Sequence, residues 1–331
     1  MYAITGNDLQ LTEVPDPVPA PDEVLIDVVA AGVNRADVQQ RAGHYPPPAG
    51  ASEILGLEVS GRIAAIGAQV TGWSIGDEVC ALLSGGGYAQ RVAAPAAQLL
   101  PIPAGVSLRD AAALPEVACT VTSNLLMAAR LQPGETLLIH GGSSGIGTHA
   151  IQVAKALGAR VAVTARSPEK LERCAELGAD VLIDYSYEDF VAALAPPHHH
   201  GADVILDVVG GGYLSRNLDV LAVNGRLVII GLLGGRTGEL DLGKLLAKRG
   251  SILGTTLRSR PAHGPGSKAE VVAATLKGTW PLIAATAGSG QPGAHTVVPV
   301  IDSVFPLAEA AAALDHLTTG SVIGKIVLDV S

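Results

Sequence analysis

What the chain has little of narrows the field first. Of its 331 residues only Cys80, Cys119 and Cys174 are cysteine, and they stand far apart. Neither a disulfide framework nor a Cys-x-x-Cys metal clip is indicated. Aromatic residues make up 3% of the chain, with two Phe and two Trp, so the core has to be built from aliphatic side chains. No apolar run approaches the roughly 18 residues of a membrane span. The opening stretch, MYAITGNDLQLTEV, lacks the basic-then-apolar layout of a secretory signal, and a cytoplasmic protein is expected. Positive charge is also scarce: 22 Lys and Arg against 31 Asp and Glu leave a net charge of −9. That balance argues against a nucleic-acid or membrane-surface partner. The tract His198-His199-His200 follows Pro196-Pro197 and precedes a strand pattern, so it reads as a polar loop in preference to a metal site.

Glycine, in contrast, is abundant at 40 residues, and its most informative cluster lies in residues 135–166. An apolar run at 136–140 is short enough for a buried parallel strand. Glycines and serines fill 141–147, and an apolar-periodic helix pattern then runs to Gly158. A second β-branched run, 160–164, completes a β-α-β unit. Gly145, Gly147 and Ala150 have the G-x-G-x-x-G/A spacing. Glycines there let the backbone approach a pyrophosphate, and the helix start offers free N–H groups. A dinucleotide site is predicted. An NAD site places an acid roughly 20 residues past the glycines. This chain instead has Arg166, Ser167 and Lys170, which suit a 2′-phosphate through charge-assisted hydrogen bonds. NADP is therefore expected over NAD.

The first third of the chain is strand-rich, with strand patterns at 9–14, 23–31, 58–66, 78–83, 88–93 and 99–101 and one helix at 34–41. A stiff Tyr45-Pro46-Pro47-Pro48 loop follows that helix. Helices are predicted at 110–114 and 119–131, bracketing Pro115-Glu116. Strand-helix alternation then continues to about residue 280 and predicts a doubly wound parallel sheet. After a loop at 288–293, a strand at 296–301, a helix at 307–318 and a strand at 324–330 return to the first pattern. The expected fold is α/β: a parallel Rossmann sheet inserted in a discontinuous β domain, with boundaries at 1–116, 117–287 and 288–331.

These segments resemble the medium-chain dehydrogenase/reductase superfamily over the whole chain, and within it the zinc-free quinone oxidoreductase (zeta-crystallin-like) branch. The resemblance is carried by GVNRAD (32–37), QQRAGHYPPPAGASEILGLEVSG (39–61), GDEV (76–79), GGGYAQ (85–90) and AAALPEVACT (111–120). LIHGGSSGIGTHAIQVAK (138–155), LGAD (177–180), LDVVGG (206–211), GLLGG (231–235), LRSR (257–260) and IGKIVL (323–328) complete it. NRAD, Tyr-Pro-Pro-Pro and LRSR look most like the animal-type quinone oxidoreductases. The resemblance implies that the β domain is GroES-like. It also places Asn34 and Leu57 where the superfamily's alcohol dehydrogenases have the Cys and His that bind catalytic zinc. Neither side chain supplies those ligands, so no metal is expected.

By the same resemblance, Asn34 and Tyr45 line the substrate cleft beside the nicotinamide, with Tyr45 either donating to the substrate oxygen or capping the cofactor. Thr120 lies at the carboxamide, Ser144, Gly145, Ile146 and Gly147 under the pyrophosphate, and Lys170 and Tyr185 at the 2′-phosphate and ribose. Gly231, Leu233, Gly234, Leu257, Arg258 and Ser259 close over the nicotinamide. Relatives carry a small residue at position 166, so Arg166 either strengthens phosphate binding or points to solvent. Lys325 is either a cleft residue or a surface charge. The implied activity is NADPH-dependent quinone reduction by hydride transfer in the interdomain cleft. Reduction of an enoyl or alkenal double bond is the alternative, and an NADPH-holding crystallin-like or RNA-binding protein is a third reading. A homodimer paired through the edge strand at 251–257 is implied as well.

Overall fold

The structure is a computed structural model that describes residues 1–195, 200–283 and 296–330. The expected loop at 288–293 and His198-His199 lie outside these. In chain order the first strands are β1 (Tyr2–Thr5), β2 (Gln10–Glu13) and β3 (Glu23–Val33), followed by helix α1 (Arg35–Arg41). Next come β4 (Glu58–Ile66), β5 (Glu78–Leu82), β6 (Arg91–Pro95), β7 (Leu99–Pro101) and α2 (Pro115–Val121). The alternating part runs β8 (Thr136–His140), α3 (Gly145–Ala156), β9 (Arg160–Ala165), α4 (Pro168–Glu176), β10 (Val181–Asp184) and α5 (Phe190–Ala193). It continues with β11 (Ala202–Asp207), α6 (Leu214–Val220), β12 (Leu221–Ile229), α7 (Leu242–Lys248) and β13 (Ser251–Gly254). Then follow α8 (Lys268–Gly278), β14 (Ile301–Pro306), α9 (Ala310–Thr318) and β15 (Lys325–Asp329).

Two compact units result. The first takes residues 1–119, 257–283 and 298–330, and the second takes 120–256 with 296–297. In the first unit a seven-stranded sheet has the order β14-β15-β3-β4-β5-β7, with β6 also paired to β3. Its pairs are antiparallel except β14 with β15. The core is aliphatic, as the composition requires: Val24, Ile26, Ile63, Val79 and Leu99 pack with Leu314 and Leu328. In the second unit six strands lie in the order β10-β9-β8-β11-β12-β13, all parallel. The strand order turns back between β8 and β11, which is where doubly wound sheets bind ligands at their carboxyl ends.

Several expectations need correction. The helical alternation was carried to about 280, yet residues 257–283 belong to the first unit. Their helix α8 is fastened there by Thr275 Oγ1 against Cys119 Sγ (3.7 Å) and, just beyond it, by Trp280 Nε1 donating to Pro101 O (3.0 Å). Pro115 opens α2 instead of interrupting a helix, because a proline at the first helical position loses no hydrogen bond. The helix then widens into a π-helical turn over Thr122–Ala128. The strand expected at 296–301 forms at β14 instead: Pro299 has no N–H to donate to a ladder. In the alternating part, α5 is a single short turn, since the Asp189 side chain caps Val191 N (3.0 Å) and sets the start. Strand β1 and helix α8 were not foreseen. Among the described residues, helical stretch Asp110–Ala128 is apolar and long enough to cross a membrane by composition. The sequence count missed it because Pro115, Glu116 and Asn124 break the run. It is 78% buried, as a core helix is.

Candidate functional site

In the second unit, β8 ends at His140 and the chain turns through Gly141, whose φ is +76°. Gly142 passes so close to β9 that a Cβ there would meet Val163 at 2.7 Å, and one on Gly147 would meet Gly141 O at 2.4 Å. Only glycine fits at these places. Ser144 caps α3: its Oγ accepts from Gly147 N (3.0 Å) and donates to Gly141 O (2.8 Å). Ser144 is exposed and Gly145 and Ile146 are half-exposed, so the first N–H groups of a twelve-residue helix are open to a ligand. The positive end of the helix dipole adds to their pull on an anion.

The tips of β9 and β10 lie beside this turn. Arg166 is exposed, Ser167 and Lys170 are half-buried at the start of α4, and Tyr185 is exposed just past β10. Tyr185 N donates to Ala165 O (3.2 Å), which brings the two tips together. After β11, the buried Asp207 accepts from Val209 N (2.7 Å) and Gly210 N (3.1 Å), fixing the turn. Leu233 N and Gly234 N in turn donate to Val208 O (3.1 Å) and Val209 O (2.7 Å), which sets Leu233 exposed on the rim. Thr120 is 6% exposed, and its carbonyl accepts from Asn124 Nδ2 (2.7 Å) in the π-helical turn.

In the first unit, Tyr45 is half-buried and sits under Arg258, whose guanidinium carbon is 5.3 Å from the ring centroid. Arg258 donates to Ser84 O (2.9 Å), Tyr45 O (3.2 Å) and Gln40 Oε1 (2.6 Å), so its guanidinium braces the Tyr-Pro-Pro-Pro loop. Burial and the charge of Glu116 push the Tyr45 phenol up, with Arg258 pulling it partly back. The phenol is therefore a proton-bearing donor at neutral pH. Beside α1, the Lys325 ammonium donates to Val33 O (2.7 Å), Asn34 Oδ1 (2.6 Å) and Glu58 Oε1 (2.6 Å). Asn34 Nδ2 also donates to Glu58 Oε1 (2.9 Å), and Glu116 N donates to Glu58 Oε2 (2.9 Å). Glu58 is fully buried and Lys325 nearly so. Asp37, also buried, accepts from Asn34 N (2.8 Å), Gly56 N (3.2 Å) and the Tyr88 hydroxyl (2.9 Å).

Two family models match the chain: an alcohol dehydrogenase GroES-like domain over residues 20–104 and a zinc-binding dehydrogenase over residues 145–273. Mouse quinone oxidoreductase is 31% identical over 322 residues, which cover 96% of this chain and 92% of that one. The chain belongs to the medium-chain dehydrogenase/reductase superfamily. It is thus an oxidoreductase with a GroES-like and a Rossmann-like part. Among solved structures, a mycobacterial protein complexed with NADPH aligns with a TM-score of 0.82 at 28% identity, covering 100% of both chains. The CurK enoyl reductase aligns at 0.81 and 28%, covering 99% of this chain and 98% of its own.

Within this medium-chain dehydrogenase/reductase the site residues named from sequence divide in two. Ser144, Gly145, Ile146, Gly147, Arg166, Ser167, Lys170, Tyr185, Gly231, Leu233 and Gly234 gather at the carboxyl ends of the parallel strands, and Thr120 stands in α2 of the same unit. Asn34, Tyr45, Leu257, Arg258 and Ser259 lie in the first unit. Asn34 has its amide engaged at both ends, so it holds the β3–α1 corner. Lys325 is a buried ion-pair partner, so it is not a surface charge. Sequence reasoning missed Glu58, the His140–Thr164–Asn217 cluster and the bracing role of Arg258. A signal existed for Glu58 and Lys325: each is a lone charge inside an apolar strand, LGLEVSG and IGKIVL.

Proposed function

We propose that this oxidoreductase reduces quinones with NADPH by hydride transfer and needs no zinc. The observation that carries the cofactor half is the open helix start at Ser144–Ile146 beside Arg166, Ser167 and Lys170, with no acid at the β9 tip. These residues fit NADPH: α3 would hold the pyrophosphate and Arg166 with Lys170 the 2′-phosphate, while Leu233 would give an apolar rim to the nicotinamide end. When bound, NADPH supplies the hydride. The zinc donor set does not fit. Asn34 and Leu57 stand at the two ligand positions, and the one carboxylate there, Glu58, is already matched by the Lys325 ammonium. Without a Lewis acid, an acceptor that is already electron-poor is favoured. Tyr45 supplies the polar help: its phenol, kept protonated, donates a hydrogen bond toward the oxygen that gains charge.

The CurK relative supports a second reading, reduction of a conjugated carbon–carbon double bond, which asks the same donor to meet an enolate oxygen. Oxidation of NADPH would be followed with ortho- and para-quinones, a short enoyl thioester and an alkenal, each repeated with NADH. Quinone turnover that prefers NADPH supports the proposal. Turnover of the enoyl substrate alone moves the assignment to the second reading. Tight NADPH binding with no turnover on any acceptor sinks both and revives the binding-protein reading. Tyr45→Phe is expected to lower kcat with quinone by about 10- to 100-fold while leaving NADPH affinity unchanged.

A further inference from the structure

We infer that His140 is a positioning residue for the cofactor site, whose ring and the Thr164 hydroxyl lock the glycine turn and the β9 tip into one piece. The inference rests on the NADPH reading and deepens it. His140 is the last residue of β8 and is 1% exposed. Its ring is wedged edge-on between Phe190 and Tyr213, with centroids 4.8 and 5.0 Å away. Nε2 meets Asn217 Oδ1 at 2.8 Å and Nδ1 meets Thr164 Oγ1 at 3.2 Å. An amide oxygen only accepts, so Nε2 carries the proton and Nδ1 presents its lone pair. The Thr164 hydroxyl therefore donates to Nδ1, and its own lone pairs face Gly141 N (3.4 Å). The carbonyl of the same threonine accepts from Gly141 N (3.1 Å) and Gly142 N (3.0 Å).

Thr164 thus sits between the two anion-reading parts. On one side it holds the turn that leads into Ser144 and the open start of α3. On the other it stands two residues before Arg166 in the chain. Core packing alone gives no reason for such a cluster. Asn217 Nδ2 is buried without a partner among the described residues, a cost that an apolar side chain would avoid. What the cluster adds is direction: a fixed tautomer, hence a fixed hydroxyl, hence a fixed glycine turn.

Thr164→Val and Thr164→Ser separate the hydroxyl from its shape, since valine matches the volume in a strand already rich in valine. Hydrogen exchange at the Gly141 and Gly142 amides is read on the protein without cofactor, and NADPH affinity by fluorescence titration. Thr164→Val is expected to speed exchange at both glycines and to weaken NADPH binding about five- to tenfold, with kcat at saturating NADPH unchanged. Thr164→Ser is expected to behave as the parent. The Nε2–H resonance of His140 should persist from neutral pH well into the acid range. Unchanged glycine exchange in Thr164→Val, or equal losses in the serine and valine variants, would overturn the inference. If the unsubstituted protein itself fails to bind NADPH, the cofactor reading falls first and the lock loses its purpose with it.

Discussion

Arg166 and Arg258 show how little a residue type says about its role. Both are arginines outside regular structure, yet one guanidinium is exposed just past β9 and the other is 3% exposed with three donors spent on Ser84 O, Tyr45 O and Gln40 Oε1. Their substitution should therefore read out differently. Arg166→Ala is expected to reduce the preference for NADPH over NADH by about tenfold or more, through the NADPH term alone, because a charge-assisted hydrogen bond to the 2′-phosphate is lost. Comparing KM for the two cofactors checks this, and an unchanged ratio would mean that Arg166 points to solvent. Arg258→Ala should instead lower kcat with quinone and leave the cofactor ratio alone, since what it holds is Tyr45. A KM raised equally for both cofactors in that variant would return Arg258 to the nicotinamide contacts, which NADPH and NADH share.

At the scale of the element, the Glu58–Lys325 pair joins three strands and a helix. Lys325 starts β15, Glu58 starts β4, the carbonyl of Val33 ends β3, and Glu116 N lies in the first turn of α2. Removing one partner leaves a buried charge unpaired, so Lys325→Met should cost about 3–5 kcal/mol of stability, and Glu58→Gln a comparable amount. The double variant Glu58→Leu with Lys325→Met should recover most of it, because a buried pair can be exchanged for well-packed apolar groups at little cost. Urea denaturation of the three variants decides the matter: a double variant no better than the worse single one would contradict it. Helix α3 carries the opposite kind of feature. His149 is 3% exposed and its Nε2 has no partner among the described residues. His149→Leu is expected to stabilise the fold by about 1 kcal/mol.

Across the whole molecule, these buried groups set the response to acid. Burial holds His140 and His149 down at about 4, below the ordinary 6.5. Between those values the unfolded chain binds the extra protons. Stability therefore rises with pH through this window, is complete above about 6.5, and falls as pH drops toward 4 by on the order of 3 kcal/mol per histidine. Asp37 works the other way. Burial lifts its carboxyl to about 6 despite three hydrogen bonds, so the folded state holds the extra proton and its contribution shrinks as pH rises from about 4 to 6. Two histidines outweigh one aspartate, and net stability should climb from about pH 4.5 to about pH 6, inside the window between the folded and unfolded values. His149→Leu should flatten that climb in urea titrations at several pH values; an equally steep slope would show that His149 does not titrate this way.

Much of this was legible in the chain because its signals are local. The strand–glycine–helix order at 136–156, the basic tip at Arg166 and the Tyr45-Pro-Pro-Pro loop each follow from neighbours in sequence; the first determined the Rossmann part, and the other two nominated the residues of the proposed site. The scarcity of aromatics likewise determined an aliphatic core. What only the tertiary structure decided involves partners far apart along the chain. His140 meets Asn217, Glu58 meets Lys325 and Arg258 meets Gln40 across separations of 77, 267 and 218 residues. No periodicity encodes such pairs. The placement of α8 in the first unit was hidden for the same reason, since a helix pattern tells which face is apolar but not which core it covers.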